Sequence, residues 1–431
     1  MSFRSLLRSV TALVLMCSVL VVGCTNSKPT ASPAGTRVAP TATVGNTSAT
    51  ATLFPTVTPA NANATVVSKG GATSVPEATQ QPLPAKQEAR MNSPEYGMQI
   101  FPWWRPEVGS RDMQVVRDAG FTWVKVIFAW RDIEGAAKGA FDWSRTDAIV
   151  DMANSIGVKL LVRVDNQPQW TGGGFPVNGP PDNLQDWADF LTALVTRYQG
   201  RIQAYQIWNE PNLAREWGGN TPDPGGFARL LKTAYQAIKP IDPNALVISG
   251  GLSPTGTWDD SARPDDWYLK TLYIEMNGNS DGYFDVLGLH APGFKVSPET
   301  DPAIVEADKE LGGQRAFCFR HVEDMRQIMV DNGDANKQVA ILEFGWTSDP
   351  RPDSPYFWHS VTEAQKADYL VRAYRYAQAN WSPWIGLMSL IYIVDPDWTE
   401  QNEQYWWAIS DPGYPDFKPR EAYIALKAMP K

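Results

Sequence analysis

Tyr96-Gly97-Met98-Gln99-Ile100-Phe101 is a short β-rich apolar run, and Pro102-Trp103-Trp104 follows it directly. A doubly wound dinucleotide-binding sheet would carry a Gly-rich phosphate turn after its first strand; here a proline and two indoles occupy that place. Seven further runs of the same kind follow: Trp123 to Trp130, Val158 to Val164, Ile202 to Trp208, Ala245 to Gly250, Val286 to His290, Val339 to Phe344 and Ile385 to Val394. Helical spacing of apolar residues lies between them. Ile149, Met152, Ala153 and Ile156 share one face, as do Leu184, Trp187, Leu191, Leu194 and Tyr198, and Phe227, Leu230, Leu231, Ala234 and Ile238. Eight βα units in about 340 residues predict a single-domain α/β fold, a (β/α)8 TIM barrel with enlarged loops over residues 93–431.

The residues before this domain read differently. Arg4 and Arg8 precede an uncharged run of thirteen residues, Val10 to Val22. That length suits a signal h-region and falls short of the ~20 needed to span a bilayer. The run ends in Val21-Val22-Gly23-Cys24, which resembles the lipobox of bacterial lipoproteins. The resemblance implies a signal peptide over 1–23, lipidation of Cys24, and anchorage to the outer side of the cytoplasmic membrane or cell envelope. From Thr25 to Ala85, 38 of 61 residues are Ala, Ser, Thr or Pro, too few of them apolar to build a core, so 24–92 is expected to be a disordered tether.

Composition narrows the partners. Lys and Arg total 38 against 47 Asp and Glu, a net charge of −9, which argues against nucleic acid. The 18 Trp exceed core needs and point to a surface that binds flat ligands such as sugars. Of three cysteines, Cys17 lies in the signal segment and Cys24 is assigned to lipid, so Cys318 stands alone between Phe317 and Phe319 and reads as a buried, inert thiol. Three His without His-Glu-x-x-His or Cys-x-x-Cys spacing give no metal motif, and no cofactor is expected.

In a barrel the chemistry lies at the C-terminal ends of the strands. The fourth run ends Gln206-Ile207-Trp208-Asn209-Glu210-Pro211-Asn212, and the seventh ends Ala340-Ile341-Leu342-Glu343-Phe344-Gly345-Trp346. Strands three apart set the two glutamates facing across the mouth, as glycoside hydrolysis requires: one carboxyl to protonate the leaving oxygen, one carboxylate to attack the anomeric carbon. A strand-end carboxylate can also be a helix cap or an ion-pair partner; the pair in this fold favours catalysis.

These two motifs resemble those of clan A glycoside hydrolases, closest to bacterial proteins near families 5 and 39; Phe141-Asp142-Trp143-Ser144 adds to the similarity. The resemblance covers the whole domain. It implies a retaining glycosidase on a β-linked poly- or oligosaccharide outside the cell, with Glu210 as acid/base, Glu343 as nucleophile and Asn209 on the sugar 2-hydroxyl. Two departures stand out. Lys125 occupies the place of a strand-2 Arg, and Leu289-His290-Ala291-Pro292 lacks the strand-6 Tyr that contacts the nucleophile. That loss is expected to raise the Glu343 pKa unless another donor, such as Tyr392, takes over. His290 is either a structural histidine or a donor in the site, whereas His321 and His359 are not expected there. Trp104, Trp130, Trp346 and Trp398, near strand ends, are read as sugar-stacking, substrate-binding residues, with packing as the alternative for each. The alternative function is a catalytically weak or inactive carbohydrate-binding lipoprotein on the same barrel. A transporter's binding protein fits less well, since one barrel has no two-lobed hinge.

Overall fold

The computed structural model describes residues 91–431, so the signal segment, Cys24 and the tether as far as residue 90 lie outside the described residues. Eight parallel strands close into a barrel in chain order: β1 (Glu95–Gln99), β2 (Trp123–Ala129), β3 (Lys159–Asp165), β4 (Ala204–Ile207), β5 (Leu246–Ser249), β6 (Val286–His290), β7 (Gln338–Phe344) and β8 (Ile385–Leu390), with β1 pairing β8. All eight expected runs are strands. The principal helices are α1 (Pro106–Asp118), α2 (Ser144–Ile156), α3 (Leu184–Tyr198), α4 (Pro224–Ile238), α5 (Asp265–Glu275), α6 (His321–Asp331), α7 (Glu363–Asn380) and α8 (Glu421–Ala428).

Helix ends follow local chemistry. Asn183 caps α3 by accepting from the Gln185 amide, Pro224 opens α4, and Thr362 with Gln365 closes a capping box on α7. The expected apolar stripes are buried along α3 and α4, except that Leu184 at the start of α3 is half-buried.

Strand alternation sorts the barrel into two cores. Val124, Val126 and Phe128 of β2 and Leu160, Val162 and Val164 of β3 point outward and pack with the helices. Trp123, Leu161, Ala204, Leu246, Val286, Ala340 and Leu387 point inward and fill the floor. Met91 joins that floor, its backbone paired with the Gln338 side chain at 3.0 Å in both directions. Above the apolar floor, the next inward positions of β2 and β3 are Lys125 and Arg163. Charge therefore begins one layer below the mouth.

Between α5 and α6, buried His321 meets Asp265 and Asp324, each at 3.0 Å. Burial pushes this imidazole down, but the two carboxylates outweigh it and hold it at about 10, against a usual 6.5. A raised folded-state pKa stabilises fully below 6.5, and the contribution fades as pH climbs through about 10. Breaking such a buried pair costs about 3 kcal/mol. His321→Ala should lose that much in urea unfolding at pH 7, with the gap to wild type narrowing toward pH 10. Equal stability at pH 7 would contradict this reading.

Candidate active site

The end of β4 is shaped by an irregular backbone. Trp208 and Glu210 take φ of 70° and 37°, left-handed values that side-chain-bearing residues rarely adopt and that cost about 1–3 kcal/mol each. Local hydrogen bonds hold the turn: Gln206 Nε2 donates to Trp208 O at 2.9 Å, Trp208 Nε1 to Glu216 O at 2.7 Å, and the Glu210 amide to Gly251 O at 3.0 Å. The turn brings Glu210 to the mouth with its carboxyl buried.

Glu343 arrives by a different device. Leu289 pairs with Ile341 and the next residue, His290, pairs with Glu343, so Leu342 is an extra residue on β7. Such a bulge re-aims a side chain. Leu342 fills the floor while Glu343, which strict alternation would send outward, meets Lys125 inside the barrel: Nζ donates to Oε1 at 2.7 Å and to Leu342 O at 3.3 Å.

His290 joins the two carboxyls. Its Nδ1 lies 3.1 Å from Glu210 Oε1 and 3.9 Å from Glu343 Oε2. Those oxygens are therefore at most about 7 Å apart, a bound that admits the ~5–5.5 Å carboxyl spacing of retaining enzymes. Gly251 makes room for the imidazole: a Cβ there would come within 2.3 Å of His290 Cδ2.

The two carboxyls differ in electrostatic setting. Burial would push Glu343 up, but the charges of Lys125, His290 and Arg163 and the Lys125 hydrogen bond bring it down to about 2. Lys125 is the donor that takes the place of the missing strand-6 Tyr, so the Glu343 pKa falls where loss of the contact alone would have raised it. Tyr392 is buried in a cluster with Phe101 and Trp398. Burial also pushes Glu210 up, and here Arg215 and His290 outweigh it, so Glu210 falls below its ordinary value. Arg215 reaches Glu210 Oε2 at 2.5 Å from the turn after β4.

A third carboxyl escaped the sequence reading. Glu216 is buried and accepts from Asn178 Nδ2 at 2.6 Å and Asn209 Nδ2 at 3.4 Å. Burial lifts it to about 7, with Arg163 and Arg215 opposing and Asp165 and Glu210 adding to the rise. It ties Asn209 to the loop after β3. Arg163 pairs with Asp165 at 2.5 Å beside it. Nothing in the spacing of these residues announced the cluster; it exists because β3, β4 and their loops converge.

The expected indoles divide. Trp130 and Trp346 are fully buried, a correction to their reading as sugar-facing residues. Trp130 stacks on Phe190 at 5.0 Å and donates to Glu134, and Trp346 donates to Val296 O and packs on Phe319. Both strand-end positions turn outward beneath helices, where position along the strand gives no hint of direction. Trp104 is half-buried and Trp398 nearly buried, both packed around Phe101 beside the mouth. Trp258, on the loop after β5, is 58% exposed and was not singled out. Cys318 is buried and pushed up to about 12 by burial, as an inert thiol should be. Among the described residues, no three His, Cys, Asp or Glu side chains cluster so as to hold a metal ion.

Residues 81–277 match the family described as Cellulase (glycosyl hydrolase family 5), a span that includes Glu210 and stops before β6. Among solved structures, a family 39 glycoside hydrolase from Bacteroides cellulosilyticus WH2 superposes with a TM-score of 0.56 at 19% identity, over 78% of this chain and 63% of that one. A glucosidase from Croceicoccus marinus gives 0.56 at 14% identity, over 79% and 67%. A beta-galactosidase of Heyndrickxia coagulans is 24% identical over 164 residues, covering 32% of this chain and 24% of that protein. The chain thus spans about a quarter of this curated relative's length. Over residues 81–277 the chain is thus similar to family 5 glycosyl hydrolases, and the solved structures share its fold.

Proposed function

We propose that this chain is a retaining glycoside hydrolase acting on a β-linked glycan outside the cell, with Glu343 as nucleophile and Glu210 as acid/base. The observation that carries the reading is the convergence of the two buried carboxyls on His290 Nδ1, with one of them paired to Lys125. Lys125 takes Oε1 of Glu343 and keeps the group ionised, leaving Oε2 as the attacking atom. In the first step Oε2 bonds to the anomeric carbon as the glycosidic C–O bond breaks, and Glu210 gives its proton to the departing oxygen. In the second, Glu210 takes a proton from water, whose oxygen attacks the anomeric carbon and frees Glu343. Asn209, whose Nδ2 is held by Glu216, is assigned to the sugar 2-hydroxyl by the resemblance to clan A. Trp104 and Trp398 offer an aromatic wall beside the mouth.

A specific observation also speaks for the carbohydrate-binding alternative: Glu210 rests as an anion gripped by Arg215 and His290. Turnover decides between the two. On aryl β-glycosides, Glu343→Ala should abolish hydrolysis and recover with azide to give the inverted glycosyl azide, while Glu210→Ala should spare substrates with activated leaving groups. Wild-type rates in both variants, or binding by wild type without cleavage, would move the assignment to a binding barrel.

Lys125→Met removes the main counter-charge of Glu343, so burial then dominates and the carboxyl titrates higher. The acid limb of kcat/KM should move up by about one pH unit or more. An unmoved limb would show that Lys125 does not hold the nucleophile.

We also assign anchorage to lipid on Cys24. Among the described residues no helix is long and apolar enough to cross a membrane. Cys24→Ser should shift the protein from the membrane fraction to the soluble one; retention in membranes would remove Cys24 as the anchor.

A further inference from the structure

The resting site holds its proton donor without a proton. Arg215 NH2 is 2.5 Å from Glu210 Oε2 and His290 Nδ1 is 3.1 Å from Oε1, so both carboxylate oxygens are engaged. An anion so held has nothing to give a departing glycosidic oxygen, and a neutral hydroxyl is a poor competitor for a guanidinium already on a carboxylate. Another carboxylate is a good one, because it restores the charge-assisted bonds that Glu210 gives up. Arg215 is 20% exposed against 2% for Glu210, so it is the partner that solvent and ligand can reach.

Position says which sugar would carry the group. Oε1 of Glu210 faces His290 and, beyond it, the nucleophile; Oε2 faces Arg215. Arg215 thus meets the acid/base on the oxygen that does not contact His290, and the hydrolase reading sets it on the side toward which the leaving group departs.

We propose that the preferred substrate carries a uronic acid residue on the leaving-group side of the scissile β-bond, whose carboxylate exchanges for Glu210 on Arg215. This rests on the hydrolase reading and names its substrate class. In the exchange, the substrate carboxylate takes the guanidinium, and Glu210, relieved of its main counter-charge, picks up a proton from solvent. That proton passes to the glycosidic oxygen as Glu343 Oε2 bonds to the anomeric carbon. The uronic acid then leaves as a free alcohol, still paired with Arg215. Arg215 is both a binding residue and the device that keeps the acid/base unprotonated until an acidic leaving group arrives.

The test compares two aryl β-glycosides of one sugar, identical but for a meta-carboxylate or a meta-carboxamide on the phenyl ring. The carboxamide is the better leaving group, so chemistry alone favours it. Wild type should prefer the carboxylate by about tenfold or more in kcat/KM, and Arg215→Gln should bring the ratio near one. A structural role for Arg215 would lower both rates and leave the ratio alone. Oligosaccharides with a uronic acid or its carboxyl-reduced form at the leaving position should show the same preference in wild type, which needs no variant. Equal rates on each pair, or a preference that survives Arg215→Gln, would overturn this inference while leaving the hydrolase reading intact. Failure to cleave any β-glycoside would overturn both.

Discussion

The ion pair between Lys125 and Glu343 is the constraint on which the site depends. Both side chains are all but sealed from water, and burying either charge alone would cost several kcal/mol. Each is tolerable because the other is 2.7 Å away. The pair ties β2 to β7 across the barrel through one oxygen of the carboxylate. It also makes the Leu342 bulge intelligible: without the extra residue, Glu343 would point into the apolar shell between strand and helix. A lysine achieves with one point charge what a bidentate arginine would do with two bonds, and leaves Oε2 of the carboxylate without a contact from it.

From this pair the site extends outward. Lys125 faces Glu343, His290 stands between Glu343 and Glu210, and Arg215 closes on Glu210. Arg163 with Asp165, and Glu216 with its two asparagines, form a second row beside it. A largely buried row of this kind is electrostatically stiff, since moving one member leaves its neighbour's charge uncompensated. The two carboxyls therefore differ in exchangeability more than in chemistry. Glu343 is held from below by a fully buried ammonium, and Glu210 from the solvent side by a reachable guanidinium.

The eight strands were legible because parallel strands buried on both faces read as continuous apolar runs of strand length, and the two glutamates because they break such runs at the catalytic end. The bulge was not legible, since nothing in Ile341-Leu342-Glu343 distinguishes a regular strand from an irregular one. Trp130 and Trp346 were misread for a related reason: a strand end has an inside and an outside, and aromatic composition does not say which. Lys125 was placed correctly on strand 2, but its bond to Glu343 depends on the bulge and could not be foreseen. Arg215 and Glu216 sit in a short turn with no periodicity, so their roles emerge only from what the fold brings near them.

The proposed retaining mechanism requires a covalent glycosyl-enzyme on Glu343, an intermediate that can be trapped. Incubation with an activated 2-deoxy-2-fluoro-β-glycoside, followed by intact-mass measurement and peptide mapping, reads it directly. The account predicts a gain of one fluoroglycosyl unit per chain, located on the peptide that contains Glu343. A label on any other residue, or hydrolysis of the parent glycoside with no label at all, would contradict it.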